Sequence, residues 1–500
     1  ANSLSTSSAD TTTNRLPEGG ISAMAAGNDG TLFIAFAGSE NDIPVGQGFA
    51  LTSNASAFNA SDSTINWTYF NQQIENNDIP YFEFWQFKSE ALPITVPHQN
   101  VTYDIALSHL DEDISYAYTA SWAGGLRRLK FENEYNPNGD ITGIIPIKWE
   151  RVPIPMDNQF KLNTCELTSY DTVPDPYDPP NEMLILKDYY FNPRDPIDGG
   201  NHNHKVFSIL TYGDTIWVGT ANGINRGIFG GYSQTFGYCI NWEHYSYPEY
   251  NLSGNFVVGL ALQMHKGKRV IWAATVNADD PTEQRGVSYT TNDGLSWNTA
   301  LLGERVYNIT AEDSLVFAAT ANGLWMTEDG INWAKYKPAQ QHTPYSTDEI
   351  LANEVYSVAF DTSNTSIWIG TGDGVAHSYD LDGLDWKIFR AEYDIDEDYA
   401  YPNPFSPYTH NVLGGDGYVR FHTNEWSGSS EIKLDIYNFA MEKVFAGSFD
   451  RTATSSGALK WNGRDMEGRL VNNGVYFVKL TYPEGYNIKP SPHWVKLIVV

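Results

Sequence analysis

Side chains that could ligate a metal or move a proton are plentiful in this chain but scattered. His202-Asn203-His204 would put two imidazoles on one face of a strand, as a metal pair requires. No third ligand stands nearby, and the stretch reads as solvated loop. Asp394, Asp396 and Asp398 alternate like the first ligands of a calcium loop. Tyr399 stands where the turn glycine belongs and no distal Glu fits, so the segment reads as a loose calcium site or as a solvated acidic hinge. No other cofactor is expected. A glycosidase needs only two carboxylates at a suitable separation. With 52 acidic residues in 1–398, spacing neither locates nor excludes such a pair. No phosphate-binding Gly loop, nucleophile elbow or Cys-x-x-Cys occurs. Cys165 and Cys239 either pair or stay free, and the sequence leaves both open.

Charge removes whole classes of function. The 500 residues hold 31 Lys plus Arg against 61 Asp plus Glu, a formal −30. An acidic surface repels phosphate, which excludes a nucleic-acid binder working through a basic patch. It disfavours adhesion to anionic lipid for the same reason. Phe, Trp and Tyr make up 14% of the chain, too many for intrinsic disorder. No run of about 18 apolar residues exists to cross a membrane as a helix. The acidity is uneven. Residues 1–398 carry 21 basic and 52 acidic residues, a net of −31, and 399–500 carry 10 and 9, a net of +1. The chain starts at Ala1 without Met, which fits a mature secreted protein after removal of a signal peptide and equally a cut fragment.

The elements that must position any site are strands. Helical periodicity is nearly absent, and short apolar runs broken by Gly, Asn and Asp recur. One unit reads IWVGTANGI at 216–224, VFAATANGL at 316–324 and IWIGTGDGV at 367–375, with looser copies at 271–275, 32–38 and 114–120. A second unit follows each copy and opens a strand with Trp67, Trp149, Trp242, Trp297, Trp333 or Trp386. Small antiparallel sheets that cannot bury both faces alone pack radially, so the expected fold is all-β: a β-propeller of six blades, or seven, at about 20–391. In the last blade the strands would be VYSVAFD, SIWIGT, GVAHSYD and DWKIF, with Gly370 letting the neighbouring blade approach. The Trp residues serve as packing anchors between blades. Residues 1–19 form an N-terminal arm that could close the ring. Stretches 71–100 and 153–204 lack the repeat and read as long insertions, with EMLILKDYYF at 182–191 a strand from which a seventh blade could be built. An acidic linker at 392–400 precedes an Ig-sized set of strands at 401–500.

The hairpin Thr290-Thr291-Asn292-Asp293-Gly294-Leu295-Ser296-Trp297 resembles an Asp-box of sialidase-like propellers, with Asn292 in place of the box Asp. Thr327-Glu328-Asp329-Gly330-Ile331-Asn332-Trp333 is similar, with Glu328 at that position, and Asp382-Gly383-Leu384-Asp385-Trp386 keeps only Gly-x-x-Trp. The Asp-Gly pairs allow the positive φ of a tight hairpin. Such boxes imply architecture and not chemistry. Arg151-Val152-Pro153 resembles the sialidase Arg-Ile-Pro motif but lies mid-chain, and the other clamping arginines and the Tyr–Glu pair of that family are not recognisable. The WIGT-x-x-G units also look like those of two-component-regulator-type propellers.

The last hundred residues resemble the flagellar hook-capping-type Ig-like domain and the related C-terminal sorting domain of type IX secretion cargo. The blocks are Tyr401-Pro402-Asn403-Pro404-Phe405, Asp435-Ile436-Tyr437-Asn438, Trp461-Asn462-Gly463-Arg464-Asp465, Asn473-Gly474-Val475-Tyr476-Phe477 and Lys496-Leu497-Ile498-Val499-Val500. The resemblance implies the outer surface of a bacterium with an outer membrane. Such a signal is usually removed on export, so its retention here points to a permanent structural module, with a cleaved address as the alternative. Seven Asn-x-Ser/Thr sequons are mostly compositional, and Asp214-Thr215-Ile216 is similar to Bacteroidota O-glycosylation sites.

Together these readings give a secreted or cell-surface bacterial protein that binds or assembles, with a protein or glycan at the cell surface, or its own copies, as partner. A glycan-active hydrolase using propeller carboxylates, and a sensor or secretion-accessory propeller, are the alternatives.

Overall fold

The computed structural model describes residues 10–13, 20–27, 30–41, 43–53, 67–73, 81–84, 87–90, 100–109, 115–135, 137, 141–166, 170–174, 182–186, 202–233, 237–278, 280–337, 339–342, 347–350, 352–389, 398–408, 417–422, 431–450, 459–482 and 492–500. Among these the secondary structure is almost wholly β, organised in small antiparallel sheets, and the helical exception is a 3₁₀ turn at Thr164–Glu166. Two compact units divide at Gly303/Glu304.

The first unit opens with β1 (Asp10–Thr13), β2 (Gly20–Ala26), β3 (Leu32–Glu40), β4 (Ile43–Thr52) and β5 (Trp67–Phe70), in the order β1-β5-β4-β3-β2. The N-terminal arm thus extends the first sheet through β1 on β5. Next come β6 (Tyr81–Phe84) and β7 (Phe87–Glu90), and then a meander of β8 (Thr102–His109), β9 (Ser115–Ser121), β10 (Gly125–Tyr135) and β11 (Ile141–Arg151). After β12 (Lys161–Asn163), β13 (Tyr170–Pro174) and β14 (Glu182–Leu186), two more meanders follow. They are β15 (Val206–Tyr212), β16 (Thr215–Thr220), β17 (Gly223–Ser233) and β18 (Gly237–Tyr245), and then β19 (Phe256–His265), β20 (Lys268–Val276), β21 (Gly286–Thr290) and β22 (Asn298–Ala300).

The insertions at 71–100 and 153–204 are not both loop. Their strands β6, β7, β13 and β14 make one sheet in the order β13-β14-β7-β6, with β14 parallel to β7. The parallel pair departs from the consecutive antiparallel hairpins of the meanders. β12 instead becomes a fifth strand outside β18.

In the second unit, β23 (Val306–Glu312), β24 (Leu315–Thr320), β25 (Gly323–Thr327) and β26 (Ala334–Lys335) form one meander. A hairpin of β27 (Gln340–His342) and β28 (Thr347–Glu349) follows. The next meander is β29 (Val355–Asp361), β30 (Ser366–Thr371), β31 (Gly374–Ser378) and β32 (Lys387–Phe389), the four strands expected from the sequence. Second strands such as β16 are buried along their whole length, because sheets cover both of their faces. Apolar clusters therefore lie between successive sheets. Phe33, Phe49, Ile105, Leu129 and Trp149 join the first two meanders, and Trp217, Val257, Ile271 and Trp297 join the last two of the first unit.

The C-terminal strands are β33 (Tyr399–Tyr401), β34 (Val419–His422), β35 (Glu431–Tyr437), β36 (Lys443–Asp450), β37 (Lys460–Trp461), β38 (Gly474–Thr481) and β39 (His493–Val499). They form a three-stranded sheet, β33-β34-β37, and a four-stranded sheet, β36-β35-β38-β39, around one shared core.

Candidate binding surface

The first strand of each meander carries the same irregularity. One extra residue is inserted opposite the second strand, at Ser22, Tyr103, Phe207, Val258, Tyr307 and Tyr356. A bulge re-aims its side chain away from the alternation of the strand. In the first unit the rings at two bulges, Tyr103 and Phe207, meet each other and the regularly paired Phe256 along neighbouring first strands. Tyr103 and Phe207 lie 5.2 Å apart, and Phe207 and Phe256 lie 4.3 Å apart. In the second unit Tyr307 and Tyr356 lie 5.1 Å apart. Tyr103 and Tyr356 keep 41% and 50% of their surface exposed. At the same strand ends the Lys205 ammonium sits 5.2 Å above the Trp122 ring. Aromatic faces with a cation offer stacking and apolar contact to a ligand.

The turns beside the bulges are built by the repeated Thr-x-x-Gly. Thr220, Thr320 and Thr371 donate to the carbonyls of Gly223, Gly323 and Gly374 at 3.0, 2.8 and 2.8 Å and accept the N–H of Asn222, Asn322 and Asp373. The Gly before Thr makes room for the first strand of its own sheet, since a Cβ on Gly370 would strike Ser357 Oγ. The expectation that Gly370 admits the neighbouring blade is corrected accordingly. Gly219 serves both purposes, meeting Ser208 and, in the next sheet, Val257.

After two of the bulges a polar side chain staples neighbouring sheets together. Asp104 accepts the Ile209 N–H of the next first strand at 2.8 Å and its neighbour Ile105 N–H at 2.8 Å. Asn308, in the same place, accepts the Val358 N–H at 3.3 Å. Burial pushes the Asp104 carboxyl up to about 7, against the lowering effect of its two N–H donors. An amide does the same work in the second unit, so Asp104 reads as a structural staple and not as a general acid.

His202 and His204 sit in a turn and not on a strand, and His204 is 1% exposed. The solvated-loop reading is therefore corrected. Asp157 accepts the backbone N–H of His202 and Asn203, and the Asn203 amide donates to Pro155 O and Asn225 Oδ1. His244 Nδ1 donates to Asn225 Oδ1 at 3.0 Å. Burial, with a smaller contribution from Arg151, holds His204 well below the usual imidazole range, and burial lowers His244 to about 4. Arg151 is buried opposite Arg127 on β10. A Tyr–Glu pair exists after all. Tyr245 donates to Glu243 Oε2 at 2.8 Å. Burial and the adjacent Glu243 raise the Tyr245 phenol, the reverse of what a nucleophile needs, and its ring is wedged against Trp217 and Trp297.

The outer hairpins close on one acceptor each. Asn292 Oδ1 accepts Thr290 Oγ1 at 2.9 Å and the Ser296 N–H at 2.9 Å. Asp293 and Gly294 adopt positive φ, and Asp293 is paired with Arg269. In the next hairpin Asp329, not Glu328, takes the acceptor role. It holds the N–H groups of Ile331 and Asn332, and Gly330 N–H donates to Thr327 Oγ1. The third hairpin uses Ser378 and Asp380, three residues before the Gly383 that the sequence singled out, with Asp382 N–H donating to Asp380 Oδ1 at 2.9 Å. A Ser-x-Asp upstream of the Gly was the missed signal. Trp67, Trp149, Trp242, Trp297 and Trp386 are at most 5% exposed. Trp333 is half-buried.

Cys165, in the 3₁₀ turn, is bonded to Cys239 on β18. Asp394 and Asp396 lie outside the described residues. Asp398 is turned inward, where its carboxylate accepts the Tyr482 hydroxyl at 2.9 Å and meets His493 Nδ1. As placed, Asp398 ties the first C-terminal strand to the last. The sequence blocks of the last hundred residues converge there. The Asn403 amide donates to Lys496 O at 2.8 Å and its oxygen accepts Ile498 N–H at 2.9 Å, which seats Phe405 beside Val499. Trp461 Nε1 donates to Arg464 O at 2.8 Å, and Tyr476 OH donates to Asn472 O. Asn100 is fully buried and Thr215 is 6% exposed, so neither is presented for glycosylation.

No family model matches the chain, and no curated protein matches it. Among solved structures it is similar to PorZ, an essential bacterial surface component of the type IX secretion system of Porphyromonas gingivalis, with 17% identity and a TM-score of 0.34 over 95% of this chain and 59% of PorZ. The chain thus spans little more than half of PorZ. The extracellular domain of the hybrid two-component system BT3049 from B. thetaiotaomicron is 10% identical, with a TM-score of 0.26 over 96% of this chain and 72% of that one. The BP39L lectin of Burkholderia pseudomallei is 10% identical, with a TM-score of 0.35 over 94% and 98%. Likenesses this distant assign neither a site nor an activity.

Proposed function

We propose that the chain is a bacterial protein of the cell surface or extracellular space that binds and assembles, with a protein or glycan as ligand. In this reading the meanders from 20 to 389 form a six-bladed β-propeller whose outer hairpins are Asp-box turns. Residues 392–400 link it to an Ig-like module at 401–500 of the type IX sorting kind, kept as a working part. Three of the first-strand bulges carry the proposal, because they aim the rings of Tyr103, Tyr307 and Tyr356 off the strand where a ligand can reach them. The test is binding of the full chain to immobilised envelope fractions and surface polysaccharides of a bacterium with an outer membrane. Tyr103→Ala with Tyr356→Ala should weaken capture at least tenfold without moving the melting temperature. Unchanged capture would overturn the reading. Turnover of a polysaccharide that one Asp or Glu substitution abolishes would replace it with the hydrolase.

A further inference from the structure

The four-stranded C-terminal sheet has one face in the core and one in solvent. Ile432, Leu434, Tyr476, Val478, Val495 and Leu497 point inward. Strand alternation and register put Tyr437, Phe477 and Trp494, with Lys433, Lys479 and Lys496, on the other face. Tyr437 stands directly across from Phe477, Phe477 across from Lys496, and Lys479 across from Trp494. The rings cluster, Tyr437 to Trp494 at 5.7 Å and Phe477 to the adjoining Phe439 at 6.3 Å. Trp494 is 48% exposed and Phe439 77%. The same register puts Asp435, paired with Lys443 at 3.0 Å, on this face, and stands Glu431 opposite Asp450 at its far end. The carboxylates lie towards one end, and the aromatic cluster itself is flanked by Lys479 and Lys496, on a chain of net charge −30. Tilted rings packed this close suit a protein knob better than the flat face of a sugar.

A complementary surface lies elsewhere on the same chain. Two outer hairpins of the second unit hold an aliphatic side chain at the tip, and Ile331 and Leu384 are 76% and 65% exposed. Carboxylates flank them, Glu328 and Asp329 beside Ile331, and Asp382 and Asp385 beside Leu384. Residues 304–389 carry 13 acidic against four basic residues. An apolar tip between carboxylates matches an aromatic cluster between lysines.

We propose that the Lys–aromatic face at 431–499 docks the acidic, aliphatic-tipped hairpins of a second copy. This rests on the assembly reading above and names its partner. The two patches differ, so the contact is head to tail, and copies add without limit unless the rotation closes a ring. Whole chains repel through their net charge, whereas the patches attract at close range. At about 10 mM salt the screening length is roughly 30 Å and repulsion prevails. Near 0.15 M it is about 8 Å, and local attraction is what remains. Association should therefore peak at intermediate salt.

Sedimentation of the full chain at about 100 µM tests this. Wild type should form concentration-dependent oligomers at 0.15 M salt and fewer at both 0.01 and 1 M. A face variant, Lys479→Glu with Lys496→Glu, and a tip variant, Ile331→Ser with Leu384→Ser, should each be monomeric. Mixed in equal amounts, they should give dimers and nothing larger, since the one intact face meets the one intact set of tips. All these positions are on the surface, and unchanged melting temperatures would exclude misfolding. A monomeric wild type, variants that still assemble, or a mixture that stays monomeric would overturn the pairing. Capture by envelope fractions through Tyr103 and Tyr356 would still stand in those cases.

Discussion

The repeated meanders and the C-terminal pair of sheets use the same strand chemistry to opposite ends. In the meanders both faces of a second strand are buried, as in β16, and the core is divided among interfaces between sheets. What remains for binding is strand ends, bulges and turn tips. In the C-terminal pair one core is enclosed between two sheets, and a whole sheet face is left open. A divided core tolerates local damage, whereas a single core does not. Trp461 packs within about 6.5 Å of Phe405, Phe445 and Tyr476 at the centre of the single core. Trp461→Ala should cost about 3–5 kcal/mol, most of what a domain of that size has. Hydrogen exchange across 399–500 should then approach that of unfolded chain. Trp386→Ala removes as large a ring from one interface, and its exchange should rise in 306–389 alone. Equal, chain-wide loss of protection in both variants would erase the contrast.

The disulfide sharpens the same comparison from the other side. Cys165 and Cys239 are 74 residues apart in sequence and tie the β12 segment to the outermost strand of its meander. Cys165→Ser with Cys239→Ser should destabilise the first unit by about 2–4 kcal/mol. Reduction should do the same in calorimetry and leave the C-terminal sheets unchanged. A transition of the C-terminal sheets that moved with it would mean that the two regions unfold as one.

Much of this architecture was legible before any coordinates. Continuous apolar runs ending in Thr-x-x-Gly marked the second strands, because a strand buried on both faces has no polar alternation to lose. The Trp positions marked the outer strands. The insertion sheet was not legible. β7 and β14 are almost a hundred residues apart, and their parallel pairing leaves no local signature. The bulges had a signal that went unread. Val206-Phe207-Ser208-Ile209, Val306-Tyr307-Asn308-Ile309 and Val355-Tyr356-Ser357-Val358 share aliphatic, aromatic, polar, aliphatic, two apolar neighbours where alternation allows one. The pairing of Asn403 with the last strand joins residues 95 apart, and sequence resemblance alone could suggest it.

The smallest expected effect separates the two units at their staples. Asp104 and Asn308 follow equivalent bulges and accept equivalent N–H groups, one with a carboxyl and one with an amide. The Asp104 carboxyl is raised to about 7 in the fold, whereas an unfolded carboxyl titrates near 3.9. Between these values the folded chain binds the extra proton, so stability is highest below about pH 4 and falls as pH rises towards 7. At 1.36 kcal/mol per unit the loss could reach about 4 kcal/mol, and water at the half-buried site reduces it to about 1–3. Other groups pull the opposite way. His244, lowered to about 4, must stay neutral, and it destabilises the fold as pH drops from about 6.5 to 4. The Asp104 contribution is therefore isolated by difference. Asp104→Asn should match wild type within about 1 kcal/mol at pH 5 and exceed it by about 1–3 kcal/mol at pH 8. Denaturant melts at the two pH values decide it. A variant weaker than wild type at pH 8 would mean that the ionised carboxylate holds Ile209 better than an amide can, and that the two staples are not interchangeable.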